Sequence, residues 1–151
     1  MITVVAVGRL KAGPLKELCD EFRRRIPLPL AIREVEERRP ISGDERKTRE
    51  GELILKELPK GALAVALDER GKSYESAGFA RQFAAWRQQS GDNLAFIVGG
   101  ADGLAPAVLE NAAARLAFGT MTWPHLLARA MLLEQIYRAH TILTGHPYHR
   151  A

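Results

Sequence analysis

Three uninterrupted apolar runs constrain this chain most: Ile2 to Val7, Gly61 to Leu67 and Leu94 to Val98. A strand with one wet face alternates apolar and polar residues. These runs do not alternate, so each is expected to be buried on both faces, as strands of parallel sheets are. Parallel neighbours need crossover connections, and the intervening segments read as the helices that supply them. Pro14 suits a first helical turn, and Leu15, Leu18, Cys19, Phe22 and Ile26 follow at helical spacing until Pro27 and Pro29. Further helices are expected over Thr48 to Leu58, through Phe79, Phe83 and Trp86, from Pro106 through Arg115, and from Pro124 to Thr144. Leu30 to Val35 reads as a half-exposed edge strand and Leu116 to Phe118 as a short final one. The expectation is an α/β fold, one domain over residues 1–151, with a mostly parallel sheet and helices on both faces.

In such sheets ligands bind beyond the carboxyl ends of the strands. Three segments occupy that place: the polar stretch Asp68 to Lys72, the glycine loop Gly99 to Leu104, and Gly119 to Pro124. Ser73 or Ser76 is positioned to cap the helix after the first of them. Arg38 to Lys47, highly charged and containing glycine, reads as a loop.

The familiar site signatures are missing. There is no GxxxxGK[ST] phosphate loop, and the GGxxG here is not the dinucleotide GxGxxG. No histidine pair has HExxH spacing, the single cysteine gives no zinc framework, and no serine sits in a nucleophile elbow. Hydrolase and metalloenzyme chemistry therefore recede, and no metal is expected. A net charge of +4 and a pI of about 9.5 permit an RNA or phosphate partner without demanding one. Arg9, Lys11, Arg23 to Arg25 and Lys72 are either RNA contacts or solvated surface. No apolar run approaches the roughly 20 residues needed to span a bilayer, and no cleavable leader is expected. Cys19 reads as a reduced core thiol, which favours the cytoplasm.

All 4 histidines lie in the C-terminal segment. The helix from Pro124 carries apolar residues around most of its circumference, from Leu126 to Leu143, so it is expected to be buried on more than one side. A second subunit is the readiest source of the second wall, which predicts a homodimer. His125 at the helix start reads equally as a packing or a functional residue, and His140 as packing. After Gly145, a left-handed cap, the tail His146-Pro147-Tyr148-His149-Arg150 carries aromatic and imidazole groups that solvation does not require.

These features occur together in a known family. Phe96-Ile97-Val98-Gly99-Gly100-Ala101-Asp102-Gly103, Met121-Thr122-Trp123-Pro124-His125, Glu134-Gln135-Ile136-Tyr137-Arg138-Ala139 and Pro147-Tyr148-His149 stand in order and spacing. With Val5-Ala6-Val7-Gly8 and Ala66-Leu67-Asp68 they resemble the ribosomal RNA large subunit methyltransferase H family, of the SPOUT class. The resemblance implies a minimal SPOUT domain whose C-terminal part is threaded into a trefoil knot, a dimer, and S-adenosylmethionine bound in the knot. It implies methylation of N3 of a pseudouridine in helix 69 of 23S rRNA, within assembled 70S ribosomes. By motif position the cofactor contacts are Leu67, Gly100, Gly119, Thr120, Met121, Thr122, Trp123 and Pro124. Gly119 stands where the family more often has a serine-containing run, so backbone contacts are expected to survive there and a side-chain one is not.

Methyl transfer to an imide nitrogen needs a proton acceptor, or a cation that stabilises charge on the flanking carbonyls. His149 is the first candidate base, Tyr148 a stacking or hydrogen-bonding group, and Arg150 or Arg129 an oxyanion or phosphate partner. Two other readings stay open: a ribosome- or RNA-binding factor without catalysis, and a SPOUT methyltransferase acting on transfer RNA.

Overall fold

The computed structural model describes residues 1–150. Strands β1 (Ile2–Val7), β2 (Leu30–Val35), β3 (Leu63–Ser73), β4 (Leu94–Val98) and β5 (Ala114–Ala117) form one sheet in the order β2-β1-β4-β3-β5. Every pairing is parallel. Helices α1 (Pro14–Arg25), α2 (Gly43–Glu57), α3 (Ser76–Gln89), α4 (Pro106–Asn111) and α5 (His125–Thr144) make the connections and close the chain.

The runs of β1 and β4 are buried throughout, as their pattern requires, and that of β3 is buried at its centre, Ala64 to Ala66. Successive side chains point to opposite faces, and the core divides accordingly. Val4, Phe96 and Val65 pack with Phe79, Phe83, Leu132 and Ile136 of α3 and α5. Val5, Val7 and Ile97 pack on the other face with Ile54 and Val108 of α2 and α4. Cys19 is buried in the first of these cores. Helices α1 and α3 of the same chain pack along α5 and meet part of its apolar breadth, while Leu126, Leu127 and Met131 stay half-buried and Leu143 exposed.

Four local expectations are corrected. The charged segment before Thr48 is not all loop: α2 begins at Gly43, because Ser42 accepts the Glu45 amide as an N-cap. Helix α4 stops at Asn111, so Arg115 belongs to β5. Neither Ser73 nor Ser76 caps α3, whose N-cap is Glu75 with no side-chain bond; the Ser76 hydroxyl turns to Gln135 Oε1 of α5 at 3.1 Å. Finally, Asp68 to Lys72 is a bulge inside a longer β3, since both Leu67 and Lys72 pair with Leu116.

That bulge depends on Gly71. A Cβ there would lie 2.7 Å from the Arg115 carbonyl carbon and 2.8 Å from its oxygen. Backbone cannot give way as a side-chain tip can. Gly71→Ala is expected to lower stability by about 1–3 kcal/mol, read as a lower urea midpoint at unchanged slope.

Candidate active site

The order of the sheet sets the place of the site. The connection from β3 to β4 steps towards β1, and the one from β4 to β5 steps back past β3. The two connections thus run in opposite senses over the same pair of strands, and the segments beyond the carboxyl ends of β3, β4 and β5 gather at one place, where ligands of such sheets bind. A cleft of about 870 Å³ opens there, bounded by the β3 bulge, the glycine loop after β4 and the segment leading into α5.

The loops hold one another. The Gly103 amide donates to the Gly100 carbonyl at 3.1 Å, closing the glycine loop. Thr122 Oγ1 donates to Glu69 Oε2 at 3.0 Å, and Trp123 Nε1 donates to the Phe118 carbonyl at 3.0 Å. These bonds tie the Gly119–Pro124 segment to the β3 bulge and to the end of β5. Leu67, Gly100, Gly119 and Met121 line the cleft, as do Thr122, Trp123 and Pro124. Thr120 is exposed and does not.

Charged or titratable side chains beyond the cofactor contacts expected by motif position also line the cleft, among them Lys47, Asp68 and His125. Lys47 arrives from α2. Asp68 accepts the Arg70 amide through Oδ1 at 3.3 Å, while its Oδ2 is buried with no hydrogen-bond partner among the described residues. His125 reaches from the start of α5 to within 3.2 Å of where a Gly8 Cβ would stand. Burial first, and the Arg129 guanidinium second, push the His125 imidazole below its ordinary value, so it is neutral at neutral pH. Among the described residues no group of three His, Cys, Asp or Glu side chains is placed to hold a metal ion. No helix there is long and apolar enough to cross a membrane.

Arg129 occupies a different setting from the one its charge first implied. It is 1% exposed and bonded to Glu34 Oε2 at 2.5 Å and to the Gly8 carbonyl at 3.0 Å. It therefore anchors α5 to the ends of β1 and β2. Burial raises the Glu34 carboxyl, but the hydrogen bonds from Arg129 and from the Leu10 amide outweigh it and hold the group below its ordinary value.

Tyr148, His149 and Arg150 stand at the other end of α5, whose 20 residues span about 30 Å. Gly145 caps the helix in the left-handed conformation at φ 76°, and the tail folds back on the last turns. Tyr148 packs edge-on to Tyr137 with ring centres 4.7 Å apart. The Arg138 guanidinium lies 4.8 Å from the Tyr148 ring centre and within 3.0 Å of His149 Nδ1, while its Nε donates to Glu134 Oε1 at 2.8 Å. One chain thus assembles two separate groups, a cleft and a tail cluster, at opposite ends of one helix. Neither Glu134 nor Arg138 was singled out for this role from sequence, although their spacing of four residues places both on one helix face.

Comparison with known proteins agrees with this architecture. A family model described as "Predicted SPOUT methyltransferase" matches residues 1–149. A protein of Rhodospirillum centenum named "Ribosomal RNA large subunit methyltransferase H" is 53% identical over 148 residues, which cover 98% of this chain and 97% of the relative. Proteins of the same name from Paramagnetospirillum magneticum and Rhodospirillum rubrum are 51% and 48% identical, covering 99% of this chain and 98% and 99% of their own lengths.

Removing the Arg129 anchor leaves Glu34 and the strand-end carbonyls without their donor. Arg129→Met is expected to cost about 3 kcal/mol of stability at neutral pH, measured by urea unfolding. Because the Glu34 carboxyl is held below its ordinary value of 4.5, its contribution is present above that pH and is lost as pH falls through the folded value. The variant's stability should accordingly fall less steeply with acid than that of the parent.

Proposed function

The chain belongs to the SPOUT methyltransferase family, and from that premise we propose that it methylates large-subunit ribosomal RNA with S-adenosylmethionine as donor. The nucleotide proposed is a pseudouridine in helix 69 of 23S rRNA, modified at N3 within the assembled 70S ribosome, in the cytoplasm. Full-length identity to relatives named for ribosomal RNA large subunit methylation supports the substrate class. The observation that carries the cofactor reading is the cleft itself.

The cleft suits that donor. Its volume of about 870 Å³ lies within the range of small-molecule sites. Leu67, Leu109 and Leu116 give an apolar wall fit for a purine, and the glycine loop brings backbone groups close. Asp68 adds a carboxylate oxygen that makes no hydrogen bond among the described residues, with the Arg115 guanidinium 3.8 Å away. Bound there, the cofactor supplies an electrophilic methyl group on a sulfonium. The protein's part is to orient it, exclude water and receive the proton that the target nitrogen gives up.

In this reading His149 takes that proton, Tyr148 stacks on the target base and Arg150 meets RNA phosphate or developing carbonyl charge. Arg129, bonded through its Nη atoms to Glu34 and to backbone carbonyls, serves instead as a structural anchor. Because some 30 Å of helix separates the tail from its own cleft, the proposal requires a homodimer in which the tail of one copy completes the cleft of the other. The exposed side chains of Leu18, Trp123 and Leu143 are apolar surface available to such an interface.

The direct test supplies labelled S-adenosylmethionine to the protein with 70S ribosomes lacking the helix 69 methyl group, and with naked rRNA in parallel. Label on one pseudouridine of the ribosome is expected. Cofactor binding without label on either RNA would leave the cleft standing and remove the substrate. The composite site has its own test. Gly100→Val blocks the cleft and His149→Ala disables the tail, so each alone should be inactive. Mixing and re-pairing the two should restore about a quarter of wild-type activity, since one site in each mixed dimer keeps both halves.

A further inference from the structure

Glu50, on α2, is 6% exposed, and its Oε1 has no hydrogen-bond partner among the described residues. An unpaired buried carboxylate oxygen opposes folding, so its retention calls for a reason beyond packing. The position of the group supplies one. A Cβ on Gly100 would stand 3.2 Å from Glu50 Oε1 and 3.4 Å from Oε2, and 2.9 Å from Val7 Cγ1. Gly100 lines the cleft, so a single residue's backbone separates the carboxylate from whatever the cleft holds. Lys47, three residues earlier on the same helix, lines the cleft as well, which places this side of α2 at the site.

The charges around Glu50 come from three elements. Arg46 on α2 attracts its negative charge, while Asp102 of the glycine loop and Glu37 after β2 repel it. Burial above all, and then Asp102, raise the Glu50 carboxyl above its ordinary value, with Arg46 opposing. A cation brought to the far side of Gly100 would relieve both the repulsion and the lost hydration.

We infer that Glu50 is a positioning residue that reads the charge of the cofactor's sulfur through Gly100, favouring the sulfonium of S-adenosylmethionine over the neutral thioether of S-adenosylhomocysteine. The inference rests on the cofactor proposed above. Methyl transfer removes the positive charge from sulfur, so the attraction lapses when the reaction is complete, and the spent cofactor is held less tightly than the fresh one. By the same linkage, donor binding favours the ionised carboxylate. Affinity for S-adenosylmethionine therefore rises with pH through the raised Glu50 value, whereas affinity for the thioether does not follow it.

Titration calorimetry with both ligands, on the wild-type protein, Glu50→Gln and Glu50→Asp, tests this between pH 5 and 8. Glu50→Gln should lower the ratio of sulfonium to thioether affinity about tenfold and flatten its pH dependence, while Glu50→Asp should retain most of both. Equal weakening of the two ligands, or an unchanged ratio, would overturn the inference and leave Glu50 a packing group. Should Glu50→Gln lose its cooperative thermal transition, the wild-type ratio decides alone: a value that does not vary with pH sinks the idea. Wild-type protein that binds neither ligand would remove the cofactor reading, and this inference with it.

Discussion

A parallel strand cannot turn back directly onto its neighbour, and that constraint decides where each loop of this protein lies. Every connection must cross a face of the sheet, so all five strands run the same way and their carboxyl ends face one side. Polar chemistry has no place in the dry layers on either face, and it collects where the strands end. The opposite senses of the connections after β3 and β4 then gather the segments after β3, β4 and β5 at one place. The cleft is therefore a product of topology first and of side chains second. Its glycines, the β3 bulge and the Thr122 to Glu69 bond shape an opening that the strand order had already made.

What the amino-acid sequence disclosed follows from the same physics. Runs without alternation announced strands buried on both faces, and the long apolar helix was placed to within one residue at its start and ends at the Gly145 cap. The glycine loop and the Met121 to His125 segment were recognised by motif and lie together in the cleft. The failures were of a different kind. The start of α2 was hidden because Gly43 and the charges after it outweigh a single capping serine in any pattern count. The early end of α4 was hidden because Ala112 and Ala113 fit a helix as well as a turn.

Long-range pairing was the least legible. Nothing local to Arg129 announces that its partner is Glu34, 95 residues away. An arginine in an apolar helix can equally face a ligand, and only the fold shows its donors turned to the ends of β1 and β2. Glu50 is the reverse case: in sequence it belongs to an exposed charged stretch, yet the approach of Gly100 buries it. The apolar breadth of α5 points to more than one covering wall, and α1 and α3 supply part of that cover within the chain. Amphipathic patterning counts how much of a helix is covered, not by whom.

Helix α5 also acts as a ruler. It is a rod with the cleft at its first residue and the tail cluster at its last, and its rotation is locked along the way by Arg129 and by the packing of Ile136 between strands and helices. A single residue added to or taken from its middle would advance the tail by about 1.5 Å and swing it through roughly 100°. Tyr148 and His149 would then leave the side of the molecule on which Glu134 and Arg138 hold them. Length in this helix is thus a quantity as fixed as the identity of any side chain. Divergence in size among proteins of this architecture should be absorbed in the surface turns, with α5 spared.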